Sequence, residues 1–121
     1  MIDYTVTNIL KKIQLNDNTV EIIGWAESLG PLEQTGLQEF VFQCILKNDE
    51  NQKIKFIAFN DDARRLYPFF LQDYVMHIDG AVAKLRNDIE GKEEALSFEL
   101  QAQSNTIDNC LGSQDVVWIN A

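Results

Sequence analysis

Side chains alternate between two faces through Ile54-Lys55-Phe56-Ile57-Ala58-Phe59, and the alternation ends at once in Asn60-Asp61-Asp62-Ala63. Because successive strand residues point to opposite sides, Ile54, Phe56 and Ala58 make a uniformly apolar face suited to a core. Lys55, Ile57 and Phe59 share the other face. A lysine, an aliphatic residue and a terminal aromatic side by side have the make-up of a small stacking platform. The segment that follows predicts a helix capped by Asn60, with Asp61 and Asp62 in its first turn, where carboxylates favour the positive end of the helix dipole. Pro68 keeps that helix short.

The same alternation recurs along the chain. Val20 to Ala26 predicts a strand, with Gly24 where a strand must bend sharply or pass close to another backbone. Glu39 to Leu46 predicts a second, with Phe40, Phe42, Cys44 and Leu46 on its apolar parity. Tyr74 to Val82 sets Tyr74, Met76, Ile78 and Val82 against Val75, His77, Asp79 and Ala81, and Ala95 to Gln103 turns Leu96, Phe98, Leu100 and Ala102 inward. Polar stretches at 29–36, 47–51 and 87–92 are the loops between strands, and 8–15 is a weak helix or an extended arm closed by a turn at 16–18. No repeat, low-complexity segment or linker interrupts this pattern. The organisation expected is a lead-in over 1–18, one domain over 19–109 and a tail over 110–121. Five strands with one short helix between the third and fourth is the order of an all-β, five-stranded OB-fold barrel.

At 121 residues, 45% hydrophobic and 24% charged, the chain suits one globular domain with a real core. Its apolar runs are strand-length, and no basic segment followed by an apolar one opens it, so a soluble intracellular protein is expected. Cys44 and Cys110 lack CxxC spacing, and Cys44 lies on an apolar parity; a free buried thiol in a reducing compartment is expected, without disulfide or zinc. The net charge of −9 changes the picture most, because nucleic-acid binders ordinarily draw their non-specific affinity from a basic balance. Any such binding must be local, at the clusters Lys11-Lys12, Lys47 with Lys53 and Lys55, Arg64-Arg65, and Lys84 with Arg86 and Lys92. The acidic remainder reads as a solvated outer surface.

Val20-Glu21-Ile22-Ile23-Gly24, Ala58-Phe59-Asn60-Asp61-Asp62-Ala63, Ile78-Asp79-Gly80-Ala81 and Leu96-Ser97-Phe98 together carry a resemblance. Their order and approximate spacing are those of the single-stranded-DNA-binding OB domains of the replication protein A large subunit. The chain resembles the second of those domains most, from Asp3 to Asn109 and including the Asp3-Tyr4-Thr5 lead-in. Meiotic and telomeric paralogues share the pattern. The resemblance implies a nuclear, single-stranded DNA-binding module of a genome-maintenance protein acting in replication, recombination, repair or telomere protection. It also implies other subunits of a DNA-maintenance complex as partners.

It further implies a groove between two hairpin loops, with bases stacked on two aromatics. Phe59 matches the first of these, Lys55 matches a basic position that would meet a phosphate, and Ile57 lies between them. The second aromatic should follow Gly80, but Lys84-Leu85-Arg86-Asn87-Asp88-Ile89 has none. Arg86 can stack its guanidinium plane and contact a phosphate, and Lys84 and Lys92 are the other cations of that hairpin. Across the groove, 29–37 contains no Lys or Arg, Glu27 and Glu33 stand in that region, and Asp79 and Val82 occupy positions where the family tends to be basic. Each missing cation removes a phosphate contact, so affinity and its salt dependence are both expected to be reduced, leaving weak DNA binding that is still salt-sensitive through the remaining cations.

Trp25 and Trp118 are candidates for a partner interface. Trp25 could otherwise extend the platform or shield a barrel end, and Trp118 belongs to the apolar tail Val116-Val117-Trp118-Ile119. His77, the single histidine, has no neighbouring Cys, His or carboxylate pattern and reads as a surface strand residue. No phosphate loop and no nucleophile with a base is present, so an enzyme is not expected, nor a cofactor or metal. Two functions of different class remain: a single-stranded DNA-binding module, or an OB domain that serves mainly as a protein-interaction platform.

Overall fold

The computed structural model describes residues 2–36, 39–86 and 96–113. Its elements in chain order are α1 (Thr7–Lys11), β1 (Val20–Leu29), β2 (Glu33–Gln34), β3 (Phe40–Lys47), β4 (Lys53–Phe59), α2 (Asn60–Leu66), a 3₁₀ turn (Tyr67–Phe69), β5 (Tyr74–Leu85), β6 (Phe98–Gln101) and β7 (Ile107–Ser113). Strands β1, β3, β4, β6 and β5 are hydrogen-bonded in that order, and β5 pairs back onto β1. The result is a closed five-stranded barrel, the OB fold. Closure leaves none of the five as an open sheet edge. Every pair among them is antiparallel except β4 with β6. The two-residue β2 adds to β3, and β7 pairs with the first half of β5, so the sheet continues to Ser113.

The inward parities of the strands meet in one core. Ile22, Phe42, Leu46, Phe56, Met76, Ile78 and Leu100 are fully buried there, as the alternation requires. At one end of the barrel Phe42 lies against Phe56, Tyr67 and Phe70, with ring centroids 6.2, 5.1 and 5.1 Å away. Tyr67 opens the 3₁₀ turn that contains Pro68, and Phe70 follows it, so the short helix delivers two aromatics into the core. At Gly24 an added Cβ would lie 3.3 Å from both Leu46 Cβ and the Lys47 carbonyl oxygen, the close approach its position in β1 implied.

The lead-in is tied to the barrel. Thr5 N–H donates to the Ile23 carbonyl at 3.0 Å, and its hydroxyl accepts the Ile23 N–H at 2.7 Å, along the part of β1 that β3 does not reach. Asn48 is buried and its amide donates to the Thr5 carbonyl and the Thr7 hydroxyl. The helix expected within 8–15 is the short Thr7–Lys11, whose Leu10 enters the core.

Two expectations are corrected. In β5 the inward parity does not run through to Val82: Met76 and Ile78 are inward, and beyond Gly80 the core residues are Ala81 and Ala83. Gly80 sits at φ +89°, and the register against β1 slips between Glu21 and Val20, so one extra residue flips the alternation. Nor does the Asn60 side chain cap α2, which has no side-chain cap bond at all. Asn60 lies in the left-handed region at φ +52°, and its Oδ1 accepts the Phe40 N–H at 3.1 Å, fastening the turn to β3.

Candidate nucleic-acid interface

The outer face of the barrel between β2 and β5 is built in rows set by strand register. Glu33 stands opposite Val41, and Val41 opposite Phe59. The next row is Gln43, Ile57, Gln101 and Val82, and the one after it brings together Ile45 and Lys55 on one side, Glu99 and Lys84 on the other. Phe59, Ile57 and Lys55 therefore do share a face.

Only Phe59 is presented on it. It is 41% exposed, whereas Ile57 and Lys55 are each only 7% exposed. The difference follows from the lengths of the neighbouring strands. β4 is central, flanked by β3 along its whole length but by β6 only as far as Ile57 and Gln101. Past that point Phe59 has a single strand neighbour on this face, Val41, and the chain turns away at Asn60.

Lys55 is turned into the groove floor. Its ammonium lies 3.5 Å from a carboxylate oxygen of Glu99, itself a buried residue. Gln101 Nε2 donates to the other Glu99 oxygen at 3.4 Å. The charge of Lys55 is thus matched within the floor of the groove. Several other basic residues have partners nearer the surface. Lys53 pairs with Glu27 at 3.3 Å, Arg64 pairs with Asp61, and Arg65 binds Asp62 and the carbonyls of Gln103 and Thr106. Lys84 Nζ is 3.3 Å from Asn16 Oδ1, and Arg86 donates its backbone N–H to the Ser97 carbonyl. Lys92 and Trp118 lie outside the described residues.

Trp25 belongs to a different part of the surface. It is half-buried, opposite Lys47 in β3 and Val75 in β5, with the Lys47 ammonium 5.8 Å from the ring centre. Lys47 faces Lys53, about 20 Å along β4 from Phe59, too far for one base to bridge the two aromatics.

A cleft of about 230 Å³ opens beside Phe59 on the far side of Val41, lined by Ser28, Pro31, Glu33, Val41, Gln43 and Ile45 among others. Among the described residues no lysine or arginine lines it. The sequence pattern marks Glu33 only as a missing cation. It assigns nothing to Gln43, Glu99 or Gln101, because their adjacency to Phe59 or Lys55 comes from pairing between distant strands.

A second polar group is buried under β7. Both carboxyl oxygens of Asp108 are shielded from solvent without a hydrogen-bond partner among the described residues. Burial pushes this carboxyl up to about 7, with His77 pulling the other way. Burial also pushes the Cys44 thiol up to about 12, with Asp108 adding to the effect, as befits an inert core thiol. His77 is partly buried rather than a plain surface residue, its Nε2 2.6 Å from Glu21 Oε2 across the β1–β5 pair.

No protein-family model and no curated protein sequence matches this chain. Its structure is similar to a chain of a replication protein A heterotrimer bound to single-stranded DNA, with TM-score 0.69 and 20% identity over 84% of this chain and 24% of that one. It is similar also to DNA binding domain A of replication protein A from S. cerevisiae, with TM-score 0.67 and 15% identity over 84% and 90% of the two chains. A third neighbour is the OB domain of Ta0387 from Thermoplasma acidophilum, with TM-score 0.56 and 15% identity over 89% and 86%. The chain spans about a quarter of the replication protein A chain in the heterotrimer and most of each isolated domain. These likenesses establish the OB fold without singling out the second domain of the large subunit.

Proposed function

We propose that this domain binds single-stranded DNA by stacking a base on Phe59, with the outer face of β3 and β4 as its groove. The observation that carries this reading is one exposed aromatic at the end of β4, beyond the covered Ile57 and Lys55 and one strand over from an open cleft. Stacking on an aromatic tolerates any base and contributes about 1 to 3 kcal/mol per base. With Lys55 withdrawn into an ion pair, phosphate contacts are few, and binding is weak with a shallow salt dependence. The likeness to a replication protein A heterotrimer bound to single-stranded DNA supports the same reading. It also supports the wider role we assign, as one module of a nuclear genome-maintenance complex.

Fluorescence anisotropy of labelled oligonucleotides at low and moderate salt tests the proposal. Phe59→Ala is expected to weaken binding by roughly tenfold or more, as loss of one stacked base requires, while leaving thermal stability nearly unchanged because the ring is exposed. Affinity indifferent to Phe59→Ala, or no binding at low salt, would sink the DNA reading. A protein-interaction role would then stand in its place, favoured by the exposed Phe69, Leu71, Ile107 and Leu111 on and around the 3₁₀ turn and β7.

A further inference from the structure

We propose that the cleft beside Phe59 is a base-reading subsite selective for guanine, with Glu33 and Gln43 as the residues that read it. The inference rests on the DNA reading above and specifies which base the groove prefers. Glu33 and Phe59 are separated by one strand, hence by about 10 Å between backbones, so neighbouring bases of one strand can occupy the ring and the cleft. The side chains of Glu33 and Gln43 make no hydrogen bond or ion pair with another described residue. Both side chains line the cleft, and they stand diagonally, about 7 Å apart at the backbone.

The lining chemistry selects the occupant. A carboxylate accepts hydrogen bonds through two oxygens and donates none, and with no cation in the lining it repels a phosphate. What satisfies it is a pair of adjacent N–H donors. Guanine alone among the DNA bases has them, N1–H beside the N2 amino group, with the O6 acceptor next in line. Gln43 can donate its amide N–H to that O6 while Glu33 accepts the two N–H groups. Thymine offers a single N–H between two carbonyls, and adenine and cytosine each set an acceptor nitrogen beside the amino group, so each leaves one Glu33 oxygen facing an acceptor. A bidentate contact of this kind discriminates by a factor on the order of ten.

The test is anisotropy titration at low salt with equal-length repeats of TG, TA and TC against oligo-dT. The TG repeat is expected to bind about tenfold more tightly than the other three. Glu33→Gln sets a donor against one of the guanine N–H groups and is expected to reduce that preference to within about twofold. Phe59→Ala should weaken all four ligands and keep their order. Equal affinity for TG and oligo-dT, or a TG preference that survives Glu33→Gln, overturns the guanine subsite while the DNA reading stands. Failure of all four to bind overturns the DNA reading itself.

Discussion

Two parts of this barrel bury a charged group, and they do so in opposite ways. On the groove floor, Lys55 and Glu99 face each other across β4 and β6 with Gln101 bonded to the carboxylate. Beneath β7, the Asp108 carboxyl is shielded with neither oxygen bonded. A buried ion is tolerable only when paired and hydrogen-bonded, and otherwise the group neutralises itself by shifting its titration. The contrast shows what each region can do. The groove floor spends its cation on its own carboxylate, so it has no charge left for a phosphate. The β7 corner holds a carboxyl whose proton is released only as pH approaches neutrality.

The largest effect should come from breaking the paired region. Glu99→Leu alone removes the buried carboxylate 3.5 Å from the Lys55 ammonium and is expected to cost up to about 3 to 5 kcal/mol, read by urea denaturation. Lys55→Met combined with Glu99→Leu should recover most of that loss, because packed apolar side chains replace a buried ion pair at little cost. Additive losses in the double variant would mean that the pair is not a coupled unit.

The unpaired region sets the pH dependence. The Asp108 carboxyl titrates at about 7 in the folded protein, above the value of about 3.9 for an unfolded aspartate. The folded state therefore holds the proton more tightly, and the stability it confers is complete below pH 4 and is lost as pH rises through 7. Stability is expected to fall across that window by at most about 1.4 kcal/mol per pH unit, and Asp108→Asn should flatten the decline. Asp17 and Glu50 act in the opposite sense. Hydrogen bonds from Thr19 lower the Asp17 carboxyl and bonds from Thr7 lower that of Glu50, so their contributions are present above the unfolded values and lost as pH falls through the depressed ones. A stability profile that is flat from pH 4 to 7 in the parent protein would remove the distinction between the two regions.

The smallest effect is on salt dependence. Lys84 stands opposite Glu99 at the end of the groove, held among the described residues to the Asn16 amide oxygen, so it can be recruited by a phosphate. Lys84→Ala is expected to reduce the slope of log K against log salt by about 0.7, the value of one phosphate contact on a single strand. Lys55→Met, measured alongside, should leave that slope as it is. A slope that drops with Lys55→Met would mean the groove cation is not withdrawn after all.

Much of the barrel was legible along the chain. Parity in β3, β4 and β6 named the inward residues correctly, because the pairing of β4 with β3 and of β6 with β4 and β5 runs without a register shift. β5 broke that rule at Gly80, where a glycine free to adopt positive φ admits an extra residue and reverses the faces. Of the candidate site, Phe59 was legible as a terminal aromatic on the non-core face, and it is exposed. Lys55 has the same parity and a different fate. Nothing local distinguishes the two; the difference lies in where β6 begins and ends beside β4.

By itself, then, the sequence determined the order of the five barrel strands along the chain, the inward residues of β3, β4 and β6 and the position of the short helix, because period-two alternation, prolines and polar turns act over a few residues. Tertiary structure alone decided which outer-face residues meet. Glu99 reaches Lys55 through a parallel pairing of strands separated by nearly forty residues, and Glu33 joins Phe59 through the intervening β3. Pairing partners across a closed barrel are fixed by register and closure, which no local pattern encodes.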